Sequence, residues 1–264
     1  MMTARRLDQF YTREDVARLC IDRVGRYAGR LATPLFVEPA AGAGAFFNQL
    51  PASRVGMDLD PKCRGILKQD FLQWRPERSE RPIVVVGNPP FGKNASLAVR
   101  FFNHAAQFAD IIALIVPLTF QKQSTWNKLD RGFMLVEECL LAEYSFVFDD
   151  CPYDVPTVFQ IWKRGGMLRP LERLPTRHGD FSFVAAPQAE FAFQRVGARA
   201  GLVSEEGLRK SPQSHYFIKP TQRAGSVRQI LASIDWTPIK CRTAGNPSIG
   251  KAELIAAYSA ALSE

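Results

Sequence analysis

The sequence predicts an α/β fold: a mostly parallel sheet with helices on both faces, followed by a small α+β C-terminal region. Three observations carry this. Short apolar runs alternate with stretches of helical periodicity. One run, residues 111–116, holds no polar residue and reads as a strand covered on both sides. Glycine, proline and carboxylates gather where the runs end, the place where ligands bind in open α/β sheets.

Residues 15–28 read as an amphipathic helix, with Val16, Leu19, Cys20, Val24 and Tyr27 at helical spacing and Thr12 placed to cap it. Residues 34–38 are a short apolar strand that runs into a glycine turn, with a helix expected to start around Phe46. Residues 54–57 form a second strand ending at Asp58, and 66–69 a third ending at Asp70. Residues 83–86 form a fourth, which ends at Gly87–Asn88–Pro89–Pro90–Phe91. Residues 96–108 carry a helical stripe of Leu97, Phe101, His104, Ala105 and Phe108. Pro117 closes the strand 111–116, and 145–148 and 157–162 read as a final pair of strands.

Around residues 164–178 the texture turns to Gly, Pro and Arg, which sets a boundary between 1–165 and 166–264. Beyond it come strand candidates at 181–185, 190–196 and 215–218, and helices at 226–234 and 251–262. From residue 166 onward 13 Lys/Arg face 8 Asp/Glu, so this tail supplies much of the net charge of +8. A basic balance suits an anionic partner. Arg195, Arg199, Arg209, Lys210, Lys219 and Arg223 are the candidate phosphate contacts.

The five cysteines form no C-x-x-C pair and the three histidines lie far apart, so neither a metal site nor a disulfide framework is expected. No stretch approaches the ~20 apolar residues of a membrane span. Met1 to Arg6 is polar and basic and leads into no apolar core, which reads as no signal peptide and makes cytoplasm the expected location.

Two motifs carry chemistry. In Val37–Glu38–Pro39–Ala40–Ala41–Gly42–Ala43–Gly44 a strand enters a glycine turn, which lets backbone amides approach a ligand closely. Asp58, at the end of the next strand, suits two ribose hydroxyls. The full G-x-G-x-x-G pattern of nicotinamide-binding folds fails because Phe47 stands at the third glycine position. The second motif is Asn88–Pro89–Pro90–Phe91. The exocyclic amine of adenine or cytosine is a poor nucleophile because its lone pair is delocalised into the ring. Two acceptors that bind both amino protons localise that pair, and the Asn88 side-chain oxygen and the Pro89 carbonyl are two such acceptors. The prolines stiffen the turn, and Phe91 offers a ring for a base to stack on.

On these residues the chain resembles the class I S-adenosylmethionine-dependent amino-methyltransferases, in the group that includes DNA adenine-N6 methyltransferases. The likeness spans about residues 7–162. It implies a Rossmann-like methyltransferase sheet with S-adenosyl-L-methionine as cofactor. Glu38, Pro39, Gly42 and Gly44 would form the cofactor loop, and Asp58 would hold the ribose. Asp70 and Phe71 would take the cofactor adenine on its amino group and ring. Gln9–Phe10–Tyr11–Thr12 resembles the segment that closes over the methionine part, although Thr12 is followed by Arg13 where the family often has proline. Asn88, Pro89, Pro90 and Phe91 match the catalytic tetrapeptide.

The resemblance implies methyl transfer to the N6 amine of adenine in DNA, with the region 166–264 as a target-recognition extension and nucleic acid as partner. A base within a duplex would have to be flipped out. Lys93 would lie near a phosphate, and Phe146, Phe148 and Tyr153 near the base. Adenine in RNA such as ribosomal RNA is the alternative, followed by cytosine N4. Protein glutamine methylation usually carries Asn-Pro-Pro-Tyr, and here Phe91 stands in that last place.

Overall fold

The computed structural model describes residues 10–77, 81–221, 226–243 and 245–263. Gln9, Arg223 and the basic Met1–Arg6 stretch lie outside them. The chain divides into two compact units, Met1–Leu171 and Glu172–Glu264. The break falls beyond residue 165 because Arg169 still belongs to the first unit. Its backbone N–H donates to the Arg131 carbonyl at 2.8 Å, and its guanidinium donates to the Trp126 carbonyl at 2.8 Å.

The first unit begins with β1 (Tyr11–Thr12), α1 (Glu14–Ala28), β2 (Leu35–Glu38), β3 (Arg54–Asp58), β4 (Leu67–Lys68) and β5 (Ile83–Gly87). There follow α2 (Ser96–Ala105), β6 (Ile111–Pro117), α3 (Gln123–Trp126), β7 (Phe133–Leu140), β8 (Phe146–Phe148), β9 (Cys151–Tyr153) and β10 (Thr157–Arg164). Seven strands make the central sheet in the order β4-β3-β2-β5-β6-β10-β7. The first five are parallel, and β10 runs antiparallel between β6 and β7. Every residue of β5 and β6 is buried, as expected of parallel strands covered on both faces. α1 contributes Ala17, Cys20, Val24 and Ala28 to the core, and α2 contributes Ala98, Phe101, Phe102 and Ala105.

The direction of progress reverses between β2 and β5: β3 and β4 lie to one side of β2, β5 and β6 to the other. Such a switch point opens a crevice at the carboxyl ends of the strands. The glycine loop after β2, Asp58 at the end of β3 and Asn88 just after β5 all emerge there.

Several sequence expectations change. Thr12 does not cap α1; Arg13 holds that position without a side-chain cap, because Thr12 pairs with Phe146. No α-helix follows Gly44. Only a 3₁₀ turn forms over Phe47–Gln49, since Pro51 holds Leu50 extended. The strand 146–148 does not pair with 157–162. It joins β1 and β9 in a separate three-stranded sheet. The edge strand β7 went unread.

The second unit is a four-stranded antiparallel sheet of β11 (Phe181–Phe183), β12 (Phe191–Gln194), β13 (Val203–Ser204) and β14 (His215–Pro220), in the order β11-β14-β12-β13. α4 (Val227–Ser233), α5 (Thr237–Lys240) and α6 (Lys251–Ala261) complete it. Phe181, Phe193 and Ile218 from the strands meet Leu231, Trp236, Leu254 and Tyr258 in its own core.

Candidate active site

A cavity of about 390 Å³ lies at the switch point, within the ~300–1,000 Å³ range of small-molecule sites. Its walls come from the strand ends. The loop after β2 supplies Pro39, Ala40 and Gly42; β3 supplies Asp58 and Leu59; the segment after β4 supplies Gln69, Asp70, Phe71 and Leu72. Asn88, Pro89, Pro90 and Gly92 follow β5, α2 adds Leu97, Arg100 and Phe101, and Phe10 and Tyr11 close one side.

The loop after β2 is stitched to the end of β3. The Gly42 N–H donates to Asp58 Oδ2 at 2.8 Å, and the Asp60 N–H donates to Oδ1 at 2.8 Å. Gly42 has φ of 49°, and a Cβ there would meet the Tyr11 ring at 2.8 Å, so only glycine lets the loop pass beneath Tyr11. Asp70 accepts the Leu72 N–H at 2.9 Å and so starts the turn that carries Phe71. The Phe71 ring is fixed against Phe101 at 5.3 Å and, edge-on, against His104 at 4.8 Å. Burial, with the Arg75 charge assisting, holds the His104 imidazole below its ordinary pKa.

Asn88 is the most informative side chain. Its Nδ2 donates to the Phe10 carbonyl across a long 3.4 Å bond. Its Oδ1 is buried and has no hydrogen-bond partner. A buried acceptor left open costs on the order of 1–3 kcal/mol. Pro89 and Pro90 stand beside it on the cavity wall.

Phe91 departs from expectation. Its ring is 6% exposed and is absent from the cavity wall, packing edge-on against Phe10 at 5.5 Å. Phe10 also meets Phe146 at 5.3 Å and the exposed Tyr153 at 5.6 Å. Of this aromatic cluster it is Phe10 that lines the cavity, with Phe91 behind it. Phe146 is fully buried, as a core residue would be.

Three more expected residues stand outside the wall. Thr12 is buried in β1. Gly44, with φ of 89°, packs against Asn48 and Cys63. Glu38 is 2% exposed, its Oε2 has no partner, and Gly87 leaves room for its chain. Burial pushes the Glu38 carboxyl well above the ordinary range; the nearby Asp58 and Cys63 add to this, and a hydrogen bond from the Phe47 backbone opposes it.

The sequence reading missed Leu59, Gln69, Leu72, Gly92, Leu97, Arg100 and Phe101 as cavity residues. Leu97, Arg100 and Phe101 follow the i, i+3, i+4 rule on α2, a signal that reads equally as a core stripe. Among the described residues no cluster of three or more His, Cys, Asp or Glu could hold a metal, and no helix is long and apolar enough to cross a membrane.

No protein-family model matches the chain, and no curated protein matches it. Solved structures similar to it include three methyltransferases. The candidate RNA methyltransferase PH1948 of Pyrococcus horikoshii is 16% identical over 60% of this chain and 87% of that one, with a TM-score of 0.45. The 23S rRNA methyltransferase ErmE is 18% identical over 62% and 72%, with a TM-score of 0.41. The magnesium protoporphyrin IX methyltransferase of Synechocystis PCC 6803, solved with bound S-adenosylmethionine, is 12% identical over 58% and 79%, with a TM-score of 0.40. At these scores the likenesses assign no role to any residue of this chain, and the roles rest on the geometry of the cavity.

Proposed function

We propose that the first unit binds S-adenosylmethionine and methylates the N6 amine of adenine in nucleic acid, with DNA as the first expectation and RNA as the alternative. The observation that carries this reading is the open Asn88 Oδ1: a buried acceptor beside Pro89 on a cavity wall, with the nitrogen end of the same amide already engaged. An aryl amine is a partner that completes it.

The cavity fits the cofactor. Gly42 gives a close backbone approach, Asp58 lines the wall as a ribose-binding carboxylate, and Asp70 with Phe71 offers a hydrogen-bond acceptor and a ring for an adenine. When bound, S-adenosylmethionine supplies an electrophilic methyl carbon on a sulfonium. Asn88 Oδ1 and the Pro89 carbonyl accept the two amino hydrogens and turn the nitrogen lone pair out of conjugation. The two prolines hold those acceptors still, so stabilisation comes from preorganised dipoles and positioning. Asn88 takes no proton; the methylated amine loses one to water. Phe10, backed by Phe91, serves as the stacking ring, a contact worth ~1–3 kcal/mol per base.

The test is transfer of labelled methyl to DNA and RNA pools, followed by identification of the labelled nucleoside. N6-methyladenosine or its deoxy form is expected. Label on protein glutamine, or none on any pool despite cofactor binding, would overturn the reading. Asn88→Ala is expected to lower kcat by at least ~100-fold while calorimetry shows an unchanged cofactor Kd.

A further inference from the structure

The part of the cavity wall made by Phe71 rests on a buried histidine. His104 stands on α2 and is 6% exposed. It is absent from the cavity wall, yet its ring meets the Phe71 ring edge-on at 4.8 Å. Phe101 at 5.3 Å and Phe108 at 6.1 Å pack the same ring. Of these three neighbours only His104 can gain a charge.

The imidazole is clamped between a group that only accepts and a group that only donates. Its Nε2 lies 2.9 Å from the Trp74 carbonyl, and the Arg75 Nη1 lies 3.0 Å from Nδ1 and 2.7 Å from Nε2. Arg75 is itself fixed. Its Nη1 donates to the Trp74 carbonyl at 3.0 Å and its Nη2 to Gln107 Oε1 at 2.8 Å. A neutral ring answers both neighbours, because one nitrogen donates to the carbonyl and the other accepts from the guanidinium. An imidazolium carries two N–H groups and no lone pair, so it sets a donor against Arg75. Burial opposes the charged ring most strongly and the Arg75 cation opposes it too, while the Trp74 carbonyl and Asp70 favour it.

The clamp joins the two segments that build one side of the cavity. Asp70, Phe71 and Leu72 come from the stretch after β4, which runs on to Trp74 and Arg75; Leu97 and Phe101 come from α2. Loss of the bond to Arg75 loosens the junction that holds Phe71 in place.

We propose that neutral His104 is a positioning residue for the adenine of S-adenosylmethionine: held by Arg75 and Trp74, it braces the Phe71 ring, and its protonation releases that brace and weakens cofactor binding. The inference rests on the reading that Asp70 and Phe71 take the cofactor adenine. It places an acid-sensitive control on cofactor affinity.

The test is calorimetry on the full chain from ~pH 7.5 to ~pH 5, the range in which a histidine changes charge. The ligands are S-adenosylmethionine and 5′-methylthioadenosine, which keeps adenine and ribose but lacks the amino-acid end that titrates on its own. For the parent, both are expected to bind ~3- to 10-fold more weakly at the acid end, the factor for one hydrogen bond. The midpoint should fall below the ordinary histidine value of 6.5. His104→Gln keeps a donor for Trp74 and an acceptor for Arg75 and takes up no proton. It is expected to match the parent at the neutral end and to show no acid loss. His104→Phe fills the space with neither group and is expected to bind weakly throughout. Arg75→Gln, at an exposed residue, removes the opposing charge and should move the midpoint upward. A parent without acid loss, an acid loss kept in full by His104→Gln, or an unmoved midpoint in Arg75→Gln overturns the proposal. Phe71→Ala separates the two readings. If it binds methylthioadenosine as the parent does, the adenine assignment itself fails. If it binds more weakly while the parent shows no acid loss, His104 alone loses its role.

Discussion

At the scale of single residues, the site is defined by groups whose hydrogen bonds are incomplete or doubly committed. Asp58 is doubly committed: both carboxylate oxygens already take backbone N–H groups, from Gly42 and Asp60. Asp58→Ala would remove the proposed ribose contact and also free the loop that carries Gly42. The expected outcome is a cofactor Kd weaker by ~10- to 100-fold, the range for a hydrogen bond to a charged group, and an unchanged value by calorimetry would reject the role. Glu38 is the incomplete case. The folded chain keeps its proton where the unfolded chain, near the ordinary value of 4.5, releases it. Stability linked to Glu38 is therefore complete below that value and is lost as pH rises toward the folded pKa. Glu38→Gln removes this dependence, so thermal melts from ~pH 4 to ~pH 8 should show a flatter curve for the variant. Parallel curves would contradict it. Much of this site was legible because Asn88, Pro89, Gly42, Asp58 and Asp70 are types whose chemistry survives without context. Phe91 misled because a ring's identity does not reveal which side it turns to the core, and here Phe10 covers it.

At the scale of elements, the strands announced themselves but their partners did not. The run 111–116 could only be a buried strand. The run 146–148 shows the same alternation whether it pairs with 157–162 or, as found, with Tyr11–Thr12. The deciding feature is the two-residue connection Asp149–Asp150, with φ of 48° and 58°, which folds β8 onto β9. Turns of this kind favour Asn-Gly, so the Asp-Asp pair gave no recognisable signal. The double substitution Asp149→Asn with Asp150→Gly is expected to stabilise the first unit by ~0.5–1 kcal/mol through relief of left-handed strain, read as a raised urea midpoint at constant slope. A lower midpoint would show that the two carboxylates do something the backbone angles do not explain. β7 was overlooked for a related reason: Glu137 and Glu138 interrupt its apolar pattern. Glu137 is held there by Arg23 and Tyr27, both on α1, at 2.6 and 3.0 Å.

At the scale of the whole molecule, the two units each enclose a core of their own. The change of composition falls near residue 165, whereas the first unit runs on to Leu171 and includes Arg169, whose guanidinium lies 5.7 Å over the Trp162 ring, a contact composition cannot register. Residues 172–264 expressed alone are expected to melt cooperatively, because Phe193, Ile218, Trp236 and Tyr258 are buried among themselves. A non-cooperative trace with exposed apolar surface by dye binding would contradict this.

The tether between the Asn88 amide nitrogen and the Phe10 carbonyl has a consequence for discrimination among nucleobases. An amide free to rotate by half a turn greets a carbonyl as readily as an amine. Here the bond from the nitrogen end to the Phe10 carbonyl disfavours that rotation and leaves the oxygen as the open acceptor. On the base-methylation reading, hypoxanthine, which differs from adenine by carrying an oxo group at the six position, would set oxygen against oxygen at that acceptor, and the same polarity would disfavour uracil relative to cytosine.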